Sequence, residues 1–193
     1  MAARHAAVHL DFGTGDGAFA LRRARSEPST LVIGVDASAE GLREPSRRAA
    51  GKPARGGLGN AMFGVLPLER APGELIGLVD SLTVLLPWGS LLRAVALPEA
   101  EGWRGCAGCA SRGVAADRIR LRSRRSAGSA SAARIAGGGR AAALVQAYAR
   151  AGFTVTARAT SREEVGSLPT TWAKKLAYSN SEREFVALTG VAR

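Results

Sequence analysis

The 193-residue sequence predicts an α/β domain built on a doubly wound, mostly parallel sheet. Three observations carry that expectation: apolar strand-like runs alternate with helical stretches, a glycine-rich turn follows the first run, and the second run ends in an acid. One domain spanning residues 1–193 is the expected organisation.

Ala6–Phe12 reads as a short buried strand, GTGDG (13–17) turns the chain, and Ala18–Arg25 has helical character, with Phe19 and Leu21 as its apolar residues. Leu31–Asp36 is a β-branched apolar run, followed by Ser38 as an N-cap for a basic helix reaching about Ala50. Lys52–Gly59 (KPARGGLG) is a loop, and Ala61–Leu66 and Asp80–Leu86 read as the third and fourth strands. Ser90 caps a short helix, LLRAVAL. From about Gly102 to Arg140 the chain is Arg, Gly, Ser and Ala almost throughout and does not read as folded core. Order returns with the helix LVQAYARAGF, closed by Gly152, then strands at Thr154–Ala159 and Phe185–Leu188.

No stretch approaches the roughly 20 continuous apolar residues of a membrane span, so a cytoplasmic protein with no membrane partner is expected. Lys plus Arg outnumber Asp plus Glu by 27 to 16, and the net charge of +11 suits a polyanionic partner such as nucleic acid. Arginine richness from a GC-rich gene would leave the same excess. Cys106 and Cys109 form a single CxxC, and His5 and His9 lie far from it in sequence. Zinc would lack two ligands there, so no metal is expected.

The turn Asp11-Phe-Gly13-Thr-Gly15-Asp16-Gly17 lets a ligand approach backbone amides, and Asp36, about 25 residues beyond Asp11, can accept both hydroxyls of a ribose. It departs from the dinucleotide fingerprint because its third glycine comes one position early. Asp11 and Asp16 would serve a pyrophosphate poorly. A cofactor with an ammonium and a sulfonium and no phosphates fits the acidic rim better, which favours S-adenosylmethionine.

PWGSLLR at 87–93, with LDFGTGDG and KPARGG before it and TTWAKKL and EFVALTG after it, resembles the aminoglycoside-resistance methyltransferases that modify N1 of adenine 1408 in the 16S ribosomal decoding site, the Kam and Npm type. The likeness covers residues 8–98 and 141–191. It implies the Rossmann-like class I S-adenosylmethionine methyltransferase fold and a monomer acting on the 30S subunit. It also implies cofactor contacts from Asp11, Gly13, Gly15, Asp36, Leu68 and Glu69, from the run Leu85, Leu86, Pro87, Trp88, Gly89 and Ser90, and from Thr170, Thr171 and Trp172. The target adenine would be held between Trp88 and Trp172, with no acid–base residue required because N1 carries an in-plane lone pair. A tryptophan is otherwise more often a packing residue than a base platform. Arg47, Arg48, Lys52 and Arg55 in and before the second loop, with Lys174, Lys175 and Arg183 flanking the second tryptophan, are the candidate phosphate contacts, or else an ordinary solvated basic face.

Two departures stand out. The resemblance implies an N-terminal β-hairpin ahead of the first motif, and only ten residues precede Asp11. Residues 103–140 occupy the place of a fifth strand, yet only Ile119 and Leu121 alternate, between arginines. That stretch reads either as an out-of-frame translation bounded by two compensating frameshifts or as a disordered Arg-rich insert that binds RNA. A non-catalytic RNA-binding descendant and a small-molecule methyltransferase are the competing functions.

Overall fold

The computed structural model describes residues 2–67, 75, 77–96, 110–122, 139–179 and 185–192. Seven strands form one sheet: β1 (Ala7–Phe12), β2 (Thr30–Asp36), β3 (Ala61–Val65), β4 (Val79–Leu85), β5 (Ala110–Arg122), β6 (Phe153–Thr160) and β7 (Phe185–Ala192). Their spatial order is β3-β2-β1-β4-β5-β7-β6. Neighbours run parallel except at β7, which is antiparallel to both β5 and β6. The strand order reverses at β1, between β2 and β4, and the crevice outside the carboxyl ends of these strands is where an open α/β sheet binds its ligand.

Six helices of five residues or more cover the described sheet: α1 (Ala18–Ser26), α2 (Ala39–Ala49), α3 (Gly89–Ala96), α4 (Gly139–Arg150), α5 (Arg162–Gly166) and α6 (Thr171–Tyr178). In α2 the buried residues are Leu42, Pro45 and Ala49, spaced along one stripe. Ala20 and Ala24 of α1 pack with Val32 on one face of the sheet. On the other face Leu10 and Phe12 of β1 join Leu82, Val84, Val95 and Tyr148 in the main core. The Tyr148 hydroxyl donates to the Val95 carbonyl at 3.0 Å and so satisfies a backbone group at the end of α3. Asn60 gathers three carbonyls, of Ala24, Glu27 and Thr30, onto one amide nitrogen at 2.9–3.1 Å and ties the end of α1 to the start of β2.

Residues 103–140 did not read as folded core, but the backbone of 110–122 runs as β5 in the interior of the sheet. The physical reason is that the slot between β4 and β7 offers main-chain partners on both sides, and those bonds do not depend on side-chain type. Its poor alternation is matched by poor register: the pairing slips between Val79↔Ala110 and Ser81↔Ala115, again after Leu82↔Ala116, and against β7 between Ala116 and Ile119. Cys106 and Cys109 lie outside the described residues. β7 extends to Ala192, four residues beyond the expected end at Leu188, because β6 pairs with it along its whole length.

The turn after β1 requires glycine where it meets α2. Gly17 has φ +69°, and a Cβ there would lie 2.5 Å from Pro45 Cβ and 2.8 Å from the Phe63 ring. Gly17→Ala is therefore expected to cost about 2–4 kcal/mol, from left-handed strain plus overpacking, read as a lower denaturation midpoint with an unchanged m-value.

Candidate active site

The loops at the carboxyl ends of β1, β2 and β4 enclose a cavity of about 240 Å³. Asp11, Gly13, Gly15 and Asp36 line it on one side, Leu85, Leu86, Pro87, Trp88 and Ser90 on another, and Thr170 and Trp172 complete the wall. Most of the residues that the sequence motifs single out therefore meet at one place. Gly89 is not in the wall; with φ +57° it begins α3 behind Trp88. Thr171 is also not in the wall, and its hydroxyl donates to the Asp16 carboxylate, joining the glycine-rich turn to the start of α6. Leu68, Glu69 and Arg183 lie outside the described residues.

Asp36 does more than face a ligand. Its Oδ2 accepts from the Gly15 amide at 3.0 Å and its Oδ1 from the Ser38 amide at 2.9 Å, so the carboxylate clamps the turn to the end of β2. Each oxygen keeps a second lone pair, and the residue is only half-buried. Asp16 is drawn off into local bonds with Thr171 and with the Ala18 amide, although it still borders the cavity.

Asp11 forms the floor and is 2% exposed. The Thr83 hydroxyl of β4 donates to its Oδ1 at 2.7 Å. Burial pushes its carboxyl up to about 6, with the Asp36 charge acting in the same sense; the nearby Thr14 and Thr83 hydroxyls and the Arg23 charge oppose the rise. Two other buried hydroxyls on the cavity wall, Thr14 Oγ1 and Thr170 Oγ1, have no aligned hydrogen-bond partner among the described residues. A polar ligand in the cavity would satisfy them.

Sequence reasoning missed Thr14, Phe12, Phe19, Ala37, Leu66, Pro67 and Leu91, which also line the cavity. The signal was available for Thr14, inside the glycine-rich turn. Nothing local marks Leu66 or Leu91 as wall residues, since sheet register and helix packing bring them there.

Trp88 and Trp172 are 47% and 50% exposed, and their ring centroids stand 6.4 Å apart with planes at 61°. Exposure on this scale argues against a packing role for either indole. Leu86, with φ +50°, holds an unusual left-handed conformation just before Pro87 and turns the chain from β4 so that Trp88 reaches the cavity mouth. Lys175 Nζ sits 4.8 Å from the Trp172 ring centre. Lys174, Arg48, Lys52 and Arg55 are exposed, whereas Arg47 is paired with Glu44 at 2.8 Å. Among the described residues, no group of three or more His, Cys, Asp or Glu is arranged to hold a metal ion, and no helix is long and apolar enough to cross a membrane.

The raised Asp11 carboxyl has a stability consequence with a definite sign. The folded state holds this proton more tightly than the unfolded chain, so stability falls as pH rises from near 4 through about 6. Asp11→Asn removes the buried charge and is expected to melt at higher temperature than the parent above pH 7, by about 1–3 kcal/mol, with the difference vanishing near pH 4 in calorimetric scans.

A family model described as "NpmA: 16S rRNA (adenine(1408)-N(1))-methyltransferase" matches residues 1–191. The chain is 37% identical over 187 residues to the 16S rRNA (adenine(1408)-N(1))-methyltransferase of Streptoalloteichus tenebrarius, covering 95% of this chain and 86% of that one. It is 39% identical over 94 residues to the Escherichia coli protein of that name, a match spanning 49% of this chain and 43% of the relative. Among solved structures, a tryptophan-to-alanine variant of the enzyme from Catenulisporales acidiphilia with cosubstrate SAM superposes with a TM-score of 0.78 at 28% identity, covering 99% of this chain and 88% of that one. With a family match along nearly the whole chain and this sheet order beneath it, the protein belongs to the 16S rRNA (adenine(1408)-N(1))-methyltransferase family.

Proposed function

We propose that this protein transfers a methyl group from S-adenosylmethionine to N1 of the adenine at position 1408 of 16S ribosomal RNA, acting on the 30S subunit in the cytoplasm and conferring aminoglycoside resistance. The observation that carries the reading is the pair of half-exposed tryptophans at the mouth of an acidic, glycine-lined cavity. A buried carboxylate with room above it suits an ammonium, Asp36 suits a ribose, and the cavity-wall hydroxyls of Thr14 and Thr170 suit the remaining polar atoms of that cofactor.

When bound, S-adenosylmethionine supplies an electrophilic methyl group. The chain's own residues bind and align. Asp11 counters the ammonium, and the turn from Gly13 to Gly15 admits the ligand close to the backbone. Trp88 and Trp172 take up an adenine turned out of its helix, replacing the stacking that extrusion costs. Their planes stand 61° apart, so base entry requires one indole to swing towards parallel. Methylation at N1 leaves the base cationic, and a cation between indole faces is favoured by about 0.5–2 kcal/mol per face. No proton need be removed from N1 before attack, so alignment is the protein's main contribution.

Arg48, Lys52 and Arg55, with Lys174 and Lys175 beside Trp172, supply exposed positive charge for phosphate contacts. A second reading, an RNA-binding protein without transferase activity, is favoured by one feature only, the slipped pairing of β5 beside β4. Calorimetry tests it: absence of S-adenosylmethionine binding supports it, and binding with methylation of 30S subunits ends it; the nucleotide sequence across codons 100–141 separately decides whether residues 103–140 are an out-of-frame translation or a true Arg-rich insert.

Methyl transfer to 30S subunits followed by a primer-extension stop at the target adenine tests the main reading, and cofactor binding without methylation of any RNA would overturn it. Trp88→Ala and Trp172→Ala are each expected to lower kcat/KM by about 10- to 100-fold, from the loss of about 1–3 kcal/mol of base stacking, while cofactor affinity changes less. Reversing the charge of Lys52 and Arg55 together is expected to weaken 30S binding and flatten its salt dependence; unchanged binding would remove that loop from the docking surface.

A further inference from the structure

His9 is a fully buried histidine on β1, two residues before Asp11, and no part of the methyl-transfer chemistry calls for it. Its ring meets Phe19 of α1 edge to face at 6.0 Å, and both of its nitrogens are engaged on β4. Nδ1 lies 2.7 Å from Ser81 Oγ, and Nε2 lies 3.1 Å from Thr83 Oγ1, the hydroxyl that donates to Asp11.

The proton inventory of this chain admits one order. An ionised Asp11 only accepts, so the Thr83 hydrogen points to it. Thr83 oxygen must then accept from His9, which places the imidazole hydrogen on Nε2. Nδ1 is left as an acceptor and takes the Ser81 hydrogen. We propose that His9 is a positioning residue for the cofactor site: neutral and hydrogen-bearing at Nε2, it locks the Thr83 hydroxyl as a donor to Asp11 and so holds that carboxylate charged and oriented towards the ligand's ammonium.

The surroundings support this order. Burial, with the Arg23 charge second, pushes the His9 imidazole down to about 3, so the ring stays neutral whenever Asp11 is ionised. The charged side chains facing Asp11 are Asp36 from β2 and Arg23 from α1, and Asp16 lies in the adjoining turn. If Asp11 takes up a proton on Oδ1, the chain reverses: Asp11 donates to Thr83, Thr83 to Nε2, and Nδ1 to Ser81; a proton on Oδ2 leaves the order as it is. In the first case His9 changes tautomer without changing charge.

The proposal rests on the reading of Asp11 as the ammonium partner, and the test separates the two. Nitrogen-15 spectra of the histidine rings and carbon-13 spectra of the aspartate carboxyls are recorded on the ligand-free protein between pH 4.5 and 8; the chain has only two histidines. The expected result is a neutral His9 ring with its hydrogen on Nε2 while Asp11 is ionised. A His9 ring that carries its hydrogen on Nδ1, or is charged, while Asp11 is ionised overturns the proposal, and that measurement needs no substitution.

In Thr83→Val the Asp11 titration is expected to move up by about one unit, in His9→Phe by about half that, and Thr83→Ser is expected to restore it. An Asp11 titration unmoved in Thr83→Val also overturns the proposal. Calorimetry with S-adenosylmethionine reads the other half: affinity falls below the Asp11 midpoint, and at pH 6 Thr83→Val binds about 5- to 10-fold more weakly than Thr83→Ser. If the carboxyl titration moves as expected while affinity does not follow it, the hydrogen-bond chain stands and the ammonium reading of Asp11 fails.

Discussion

The proposed site turns on one constraint, a carboxyl that the fold has buried beneath the cavity. Asp11 lies one residue before the end of β1, where the strand order reverses, and pairs with β2 on one side and β4 on the other. Burial pushes its carboxyl up, to about 6 even with the opposing contacts in place. A hydroxyl from the neighbouring strand opposes this, and that hydroxyl is in place because Asp11 pairs with Thr83 across the β1–β4 ladder. The protein gives up stability at this position to hold a charge that a purely structural core would not contain.

The same economy governs the two tryptophans. Large indoles left half exposed and a left-handed Leu86 are unfavourable features taken singly, and they occur together at the mouth of one cavity. Leu86 is nonetheless buried in the cluster formed by Val165, Leu168, Ala173, Leu176 and Phe185, so packing under the loop offsets the strain within it. The Thr171–Asp16 bond then fixes the base of Trp172 relative to the glycine-rich turn, which couples the expected adenine slot to the expected cofactor floor.

β5 is held in the sheet by main-chain pairing to β4 and β7. Its neighbours impose a direction and a slot, and it fills both, but the pairing slips at three places where an apolar, β-branched strand would be pinned by its inward residues.

Much of the fold was legible in the sequence. The strand ends at Phe12 and Asp36, the existence of α1 and the Gly-rich turn follow from local patterning, because periodicity and glycine act over a few residues, whereas the face α1 buries is Ala20, Leu21 and Ala24 and not Phe19 with Leu21. PWGS and PTTW mark both tryptophans in the sequence itself. Tertiary structure alone decided that Asp36 is a clamp on Gly15 and Ser38, that Thr171 binds Asp16 instead of lining the cavity, and that His9, Thr83 and Asp11 form one chain. The contacts within that group connect residues more than 70 positions apart in sequence. Their meeting is set by the register of two parallel strands, and no local pattern encodes the register between elements separated by that much chain.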